Sequence, residues 1–235
     1  MRALLLAAGM GTRLRPITNA IPKCLVPIHG RPLLDYWLEL LFDDNAIERI
    51  LVNTHYLSNK VDSFVANSRH RDRIDLIYEP SLLGTGGTMV ANREYFSDNA
   101  LLVAHADNLT DFDVKAFMQA HEMRPQGCVM TMLAFRTDDP RSCGVLELDR
   151  RNVLQAFYEK VAEPPTNLAN AAVYIVEPEV IAFMASLGKD FIDLSTEVIP
   201  HFIGRIFVFE TSGYHRDIGS VESLARANLE FSPKN

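Results

Sequence analysis

Along the first half of the chain, apolar stretches rich in Leu, Val and Ile alternate with amphipathic ones. Residues 3–7, 50–52, 76–78 and 101–104 form short, nearly continuous apolar runs, the pattern of strands buried on both faces. Between them, residues 32–42, 61–66, 87–95 and 114–123 place apolar side chains at helical spacing. A βαβα order of this kind predicts a mostly parallel sheet with helices on both faces, a doubly wound α/β class. After Gly127 the rhythm changes. Residues 129–135, 145–148, 153–157 and 172–176 are strand-like with few helical stretches between them, which predicts a mixed sheet and an inserted β-region. Helical patterns return at 178–187 and 196–202, followed by a strand at 206–209 and a last helix at 220–229. No internal repeat, low-complexity tract or flexible linker interrupts the pattern, and 235 residues then read as a single domain.

Charge and composition narrow the partners. The net charge of -7 disfavours a broad basic face for nucleic acid or an anionic membrane, so an anionic ligand must be met by a local cluster of donors. Cys24, Cys128 and Cys143 form no CxxC pair, and the seven histidines show no close zinc-ligand spacing. The apolar run at 3–8 is followed at once by glycine and arginine, and no stretch reaches membrane-spanning length. A reduced, cytoplasmic protein without signal peptide or anchor is the expectation.

Candidate chemistry starts at LLLAAGMGTRLRP, where Gly9 and Gly11 follow a buried strand and let backbone N–H groups approach a phosphate. A tight β-to-α turn is the plain alternative for these two glycines. A dinucleotide fingerprint would need a glycine where Leu14 stands, and a P-loop would need a GK[ST] ending, so neither pattern is met. Cationic residues follow instead: Arg13, Arg15 and, in IPKCLVPI, Lys23. Backbone donors joined by Arg and Lys suit a triphosphate. Further on, LLGTGGT carries Gly84, Gly86 and Gly87 before a helix, and LLVAHADNLT ends a strand near Asp107, where ligands sit in open α/β sheets. A carboxylate there suits Mg²⁺, which needs only one or two protein carboxylates, and Asp217 in GYHRDIGS is the candidate second ligand. Capping or a turn is the alternative for both aspartates. His105 and His215 lie near these aspartates but show no ligand spacing, and read as structural or as groups supporting the metal ligands from behind.

With these motifs in view, LAAGMGTRLRP followed by PKCLVPIHGRPLLDY resembles the signature of the sugar-phosphate nucleotidylyltransferases: a glycine loop ending Thr-Arg-Leu-x-Pro, then Pro-Lys-x-Leu-x-Pro, then Gly-x-Pro before the first helix. The resemblance implies a nucleotide-diphospho-sugar transferase-like fold over nearly the whole chain. It assigns Leu6, Ala7, Ala8, Gly9, Gly11, Thr12, Arg13 and Lys23 to the nucleotide, with Glu79, Gly84, Thr85 and Gly86 at base and ribose. It makes Asp107 and Asp217 the Mg²⁺ ligands, and Arg13, Lys23, Asp107 and Asp217 the catalytic set. Glu159-Lys160 resembles a Glu-Lys-Pro element in which the acid binds sugar hydroxyls and the lysine the sugar phosphate. Asn170-Ala171-Ala172, ahead of a strand, resembles an Asn-Ala-Gly segment at the sugar, and Cys143-Gly144-Val145 a Tyr-Gly-Val element whose glycine lets the sugar lie against backbone. Gly144, Glu159, Lys160 and Asn170, together with Asp107, thus form the implied sugar-phosphate set. Val161 stands where the family has proline, Ala172 where it has glycine, and Cys143 and Cys24 read as packing.

The implied activity is nucleotidyl transfer from an NTP to a sugar 1-phosphate with release of pyrophosphate. Residues up to about 125 form the nucleotide-binding half and about 126–235 the sugar-phosphate half. The Leu-Gly-Thr-Gly-Gly loop is most similar to members using GTP with mannose 1-phosphate or a manno-configured heptose 1-phosphate. Uridylyl or thymidylyl transfer to another hexose 1-phosphate is the alternative, as is a catalytically silent nucleotide-sugar sensor. The resemblance stops close to residue 235, implying a stand-alone transferase without the carboxyl-terminal β-helix of some relatives. A homo-oligomer is compatible with all of these readings.

Overall fold

The structure is a computed structural model, and it describes residues 1–43, 46–96 and 99–233. The first stretch builds β1 (Arg2–Leu6), the two-residue strands β2 (Pro27–Ile28) and β3 (Arg31–Pro32), α1 (Leu33–Phe42), β4 (Arg49–Thr54), α2 (Ser58–Ala66) and β5 (Ile74–Tyr78). The middle builds α3 (Gly84–Ala91), α4 (Arg93–Phe96), β6 (Leu101–His105), β7 (Asn108–Thr110) and α5 (Val114–Glu122). The β-rich stretch and the end follow with β8 (Met130–Arg136), β9 (Gly144–Leu148), β10 (Leu154–Glu159), β11 (Leu168–Val176), α6 (Pro178–Ser186), β12 (Ile206–Glu210), β13 (His215–Asp217) and α7 (Val221–Glu230).

Two compact units are woven from this order. The loop-bearing unit takes Ala3–Leu82, His105–Asp111 and Gly213–Asn235, and the β-rich unit takes Met1–Arg2, Leu83–Ala104 and Phe112–Ser212. Residues 234 and 235, which end the expected domain, lie outside the described residues.

In the loop-bearing unit β1, β4 and β5 lie side by side, and β4 pairs with β5 in parallel, Ile50 facing Ile74 and Thr54 facing Tyr78. The apolar stripe of α1 buries Leu33, Leu34, Trp37, Leu38 and Leu41. A three-residue pairing not foreseen from the sequence joins β7 to β13 antiparallel, Thr110 opposite His215 and Asn108 opposite Asp217. Beneath it sits a compact apolar cluster that includes Leu14, Val26, Ile28, Leu109, Ile218 and Phe231.

In the β-rich unit β9 lies between β10 and β11, β11 lies beside β6, and β8 pairs antiparallel with β11 and parallel with β12. This is the mixed sheet with the β-region expected after Gly127. Three expectations need correction. The helix placed at 87–95 starts earlier, at Gly84, and gives way to a second short helix after Asn92. The helix placed at 196–202 is a π-type turn over Leu194–Val198 and a 3-10 turn over Ile199–Phe202, because Pro200 has no N–H to extend an α-helical ladder. Asn170 lies inside β11 rather than ahead of it, where the register shifts between Asn170 and Tyr174.

Candidate active site

The glycine loop leaves β1 on a well-anchored strand end. Ala7 and Ala8 are buried, the Ala7 N–H donates to Asn53 Oδ1 at 2.7 Å, and the Leu6 carbonyl accepts from the Ala106 N–H at 3.0 Å. Gly9 is exposed. Gly11 adopts a left-handed backbone with φ 60°, and a Cβ there would lie 2.9 Å from Thr18 Cγ2, so both torsion and space call for glycine. Its carbonyl accepts from the Leu14 N–H at 3.0 Å and from the Thr18 hydroxyl at 2.7 Å. This closes a 3-10 turn over Thr12–Leu14. Leu14 is fully buried and pins the turn, leaving the adjacent Arg13 side chain 73% exposed.

Lys23 behaves in the opposite way. It starts another short turn, Lys23–Leu25, after extended Pro22, and only 5% of it is exposed. Its ammonium donates to Asp107 Oδ2 at 2.6 Å and to Asp217 Oδ1 at 3.1 Å. Arg13 approaches the other oxygen of Asp217 at 3.5 Å, from solvent, a contact that is weak by itself. Backbone pairing brings these carboxylates together across more than 100 residues of sequence. The Ile218 N–H donates to the Asp107 carbonyl at 3.1 Å, Asp217 faces Asn108 in the strand pair, and the Trp37 indole N–H donates to the Asn108 carbonyl at 2.7 Å. Gly219 permits the approach, since a Cβ there would lie 2.5 Å from Asp217 Oδ2 and 2.9 Å from the Arg13 guanidinium.

The charges are mutually tuned. Burial pushes the Asp107 carboxyl up, but the Lys23 ammonium, His105 and hydrogen bonds more than offset it, and the group sits below the ordinary carboxylate range. Burial pushes the His215 imidazole down to about 3 against the pull of Asp107, and pushes the Cys24 thiol up to about 12. Neither is poised for acid–base or nucleophilic work near neutrality.

Two carboxylate groups gathered around one ammonium form a donor set that accepts a cation, and their hard oxygens match Mg²⁺. Among the described residues no group of three or more His, Cys, Asp or Glu gathers for a metal, and a pair suffices where substrate phosphates complete the shell.

Glu79 is 3% exposed, and its Oε1 accepts from Asn53 Nδ2 at 3.0 Å. Asn53 was not singled out from the sequence. Its signal was a polar residue near the end of the apolar run ILVNT, the same cue that singled out Asp107.

The other expected residues belong to the β-rich unit. Gly84, Gly86 and Gly87 pack against the backbone of residues 190–192: a Cβ on Gly84 would lie 2.6 Å from the Ile192 carbonyl, and one on Gly87 2.2 Å from that of Asp190. The Gly86 N–H donates to the Ile192 carbonyl at 2.9 Å. These glycines therefore have a packing task of their own, and Thr85 beside them is half-buried. Gly144 makes room for its own neighbours, since a Cβ there would lie 2.5 Å from the Phe157 ring and 2.7 Å from Glu159 Oε2. Glu159 and Lys160 are paired at 3.5 Å, Lys160 the more exposed. Lys160 itself has φ 51°, and its N–H donates to the Cys143 carbonyl at 3.1 Å. Asn170 donates to the Tyr174 hydroxyl at 2.7 Å and accepts from the Ala172 N–H at 2.9 Å.

A chain with this strand-end glycine loop, and with acid residues gathered at a buried lysine, matches a known family over almost its whole length. Residues 2–233 match the nucleotidyl transferase family, and the chain belongs to it. It is 29% identical to a mannose-1-phosphate guanylyltransferase of Mycobacterium tuberculosis, over 97% of this chain and 64% of that protein. It is 31% identical to a UTP–glucose-1-phosphate uridylyltransferase of Synechocystis, over 86% of this chain and 55% of that protein. The chain thus spans less than two thirds of either relative. Among solved structures, HddC from Yersinia pseudotuberculosis superimposes with a TM-score of 0.81 at 27% identity, covering 98% of this chain and 99% of that one. The same protein has been solved with GMP-PN.

Proposed function

We propose that this chain transfers a nucleotidyl group, from GTP in the favoured reading, to a manno-configured sugar 1-phosphate, releasing pyrophosphate and an NDP-sugar. The observation that carries the reading is the Lys23 ammonium held between Asp107 and Asp217 beside a glycine loop. A sugar 1-phosphate is largely dianionic at neutral pH, since the second pKa of a phosphate monoester is about 6, so it attacks the α-phosphorus without a general base. Catalysis then amounts to holding two anions in line and stabilising charge on the phosphorus and the departing pyrophosphate. Mg²⁺, held by Asp107 and Asp217, would supply charge neutralisation at the phosphates. The Gly9–Gly11 segment presents backbone donors, while Arg13 and Lys23 stabilise the triphosphate and leaving group. Lys160 takes the acceptor phosphate, and Glu159 and Asn170 take sugar hydroxyls. Glu79 meets the base.

Guanine is favoured because HddC is known with GMP-PN and a 29% identical relative is named a guanylyltransferase. The 31% identical uridylyltransferase supports the second reading, transfer from UTP. We place the enzyme in the cytoplasm, which the three free cysteines suit. The test is a matrix of four NTPs against several sugar 1-phosphates, with pyrophosphate release as the readout, with and without Mg²⁺. Pyrophosphate released from GTP with mannose 1-phosphate or a heptose 1-phosphate, and lost on chelation, is the expected result. No release from any pair would overturn the activity, and a preference for UTP would overturn the base.

A further inference from the structure

β4 is an apolar strand that ends in two buried polar side chains, Asn53 and Thr54. A buried amide must place both its carbonyl and its NH₂ against partners, and Asn53 does so across two other segments. Its Oδ1 accepts from the Ala7 N–H at 2.7 Å, and its Nδ2 donates to Glu79 Oε1 at 3.0 Å. A backbone N–H can only donate and a carboxylate only accept, so the amide has one orientation; flipping it would set donor against donor and acceptor against acceptor.

Glu79 is fixed from its backbone as well. Its N–H donates to the Thr54 carbonyl at 2.8 Å, and its carbonyl accepts from His55 Nδ1 at 2.7 Å. The His55 ring in turn stacks on Tyr78, with centroids 6.3 Å apart and planes 15° from parallel. One carboxylate is thereby set in a defined position relative to the strand end that starts the phosphate loop.

We propose that Asn53 is a positioning residue for base selection: it holds the Glu79 carboxylate to accept from a base edge carrying adjacent donors, the edge guanine presents with N1–H and its 2-amino group. The inference rests on the reading above in which Glu79 meets the base. A carboxylate has about four acceptor positions, so the bond to Asn53 does not exhaust its capacity. Uracil and thymine place carbonyls on both sides of their single ring N–H. Adenine and cytosine place a ring acceptor beside their amino group. A fixed carboxylate repels each of those acceptors, and only guanine offers two donors side by side. A site built around such a bond rejects an analogue that lacks it far more strongly than an apolar site does.

Inosine triphosphate is the diagnostic probe, because hypoxanthine keeps the ring N–H and lacks the 2-amino group. Turnover and KM are to be measured with GTP, ITP and UTP for the parent, Asn53→Ala, Asn53→Asp and Glu79→Gln, with GTP and ITP dissociation constants by calorimetry and a melting temperature for each. Asn53→Asp keeps an acceptor for the Ala7 N–H but turns a second carboxylate toward Glu79. Glu79→Gln keeps the shape and removes the charge.

The parent is expected to favour GTP over ITP by about tenfold or more in kcat/KM, the size of one charge-assisted hydrogen bond. Both Asn53 variants and Glu79→Gln should bring the ratio to within about threefold, with the change read in KM and in the dissociation constants. Folded Asn53 variants that keep the ratio overturn the inference alone. So do variants that lose melting temperature and activity with every nucleotide alike, which is the mark of a structural role. If both Asn53 variants fail to fold, a Glu79→Gln protein that keeps the ratio overturns it. A parent that prefers UTP to GTP overturns the guanine reading first, and that result is read before any variant is made.

Discussion

Lys23 does at residue scale what no exposed lysine could. Nearly buried, it balances two carboxylates, and its loss leaves Asp107 and Asp217 facing each other with only the exposed Arg13 still near Asp217. Removing one member of a fully buried ion pair costs roughly 3–5 kcal/mol. Here Asp107 is about one third exposed and Asp217 half exposed, so solvent screening brings the expected cost down to about 1–2 kcal/mol. We expect Lys23→Ala to slow turnover about a hundredfold or more, as loss of a preorganised donor does, and to lower the urea midpoint without Mg²⁺. Added Mg²⁺ should restore much of that midpoint by neutralising the same carboxylates. Turnover within about threefold of the parent, or a midpoint indifferent to Mg²⁺, would contradict the assignment. A second residue-scale consequence lies at Ala172, whose φ of 53° is a backbone state that glycine adopts at little cost. The Asn-Ala-Gly segment that residues 170–172 resemble carries glycine there. Ala172→Gly should therefore stabilise the chain by up to about 1 kcal/mol, visible as a raised melting temperature; a lowered one would show that the Ala172 methyl matters more than its torsion.

At the scale of elements, the long apolar runs were legible because burial on both faces leaves an uninterrupted signature, and the strand at Leu101–His105 and the helix at Leu33–Phe42 fall within a residue of expectation. The β7–β13 pair was not legible. Each strand has three residues, too few for a periodicity, and their pairing is a register across about a hundred residues that no local pattern encodes. Asp107, Asp217 and Lys23 could each be named from their motifs, yet the pairing of Lys23 with both aspartates could not. The placement of Asn170 ahead of a strand fails for a related reason: the bulge between Asn170 and Tyr174 interrupts the alternation of β11, so the hydrophobic pattern starts the strand late. Another cross-element contact sets a pH response. His121 of α5 meets Thr131 Oγ1 of β8 at 2.8 Å and Glu177 Oε1 at 3.2 Å, with Arg124 also on Glu177. Burial, helped by Arg124 and opposed by Glu177, pushes its imidazole down to about 4. Between that value and the ordinary 6.5, the unfolded chain binds more protons than the folded one, so this contribution to stability is full above pH 6.5 and declines as pH falls toward 4. Between pH 7.5 and 5, urea unfolding of the parent should lose up to about 2 kcal/mol more than His121→Gln. Equal losses would show that His121 titrates normally in the folded state.

At the scale of the whole molecule, the two compact units carry different parts of the proposed chemistry, and this separates the effects of substitutions. The loop-bearing unit holds Arg13, Lys23, Glu79, Asp107 and Asp217, whereas Gly144, Glu159, Lys160 and Asn170 belong to the β-rich unit. If Lys160 grips the acceptor phosphate, its loss should be felt by one substrate only. Lys160 is two thirds exposed, and its pairing with Glu159 at 3.5 Å is too open to matter for stability. Lys160→Ala should therefore melt within a degree or two of the parent. Its KM for the sugar 1-phosphate should rise about tenfold or more and its turnover fall, since a charge-assisted contact to phosphate is worth about 1.5–3 kcal/mol. Asn170→Ala should affect the same KM less, because a neutral hydrogen bond to a sugar hydroxyl is worth about 1 kcal/mol. Calorimetry with NTP alone should give the parent's dissociation constant for Lys160→Ala and a much weaker one for Lys23→Ala. The contrast between the two lysines matters because each is a cation near a proposed phosphate, and charge alone would have them weaken both substrates alike. A Lys160→Ala protein that binds NTP poorly and keeps its KM for the sugar 1-phosphate would move the β10 end to the nucleotide and leave the acceptor phosphate to other residues.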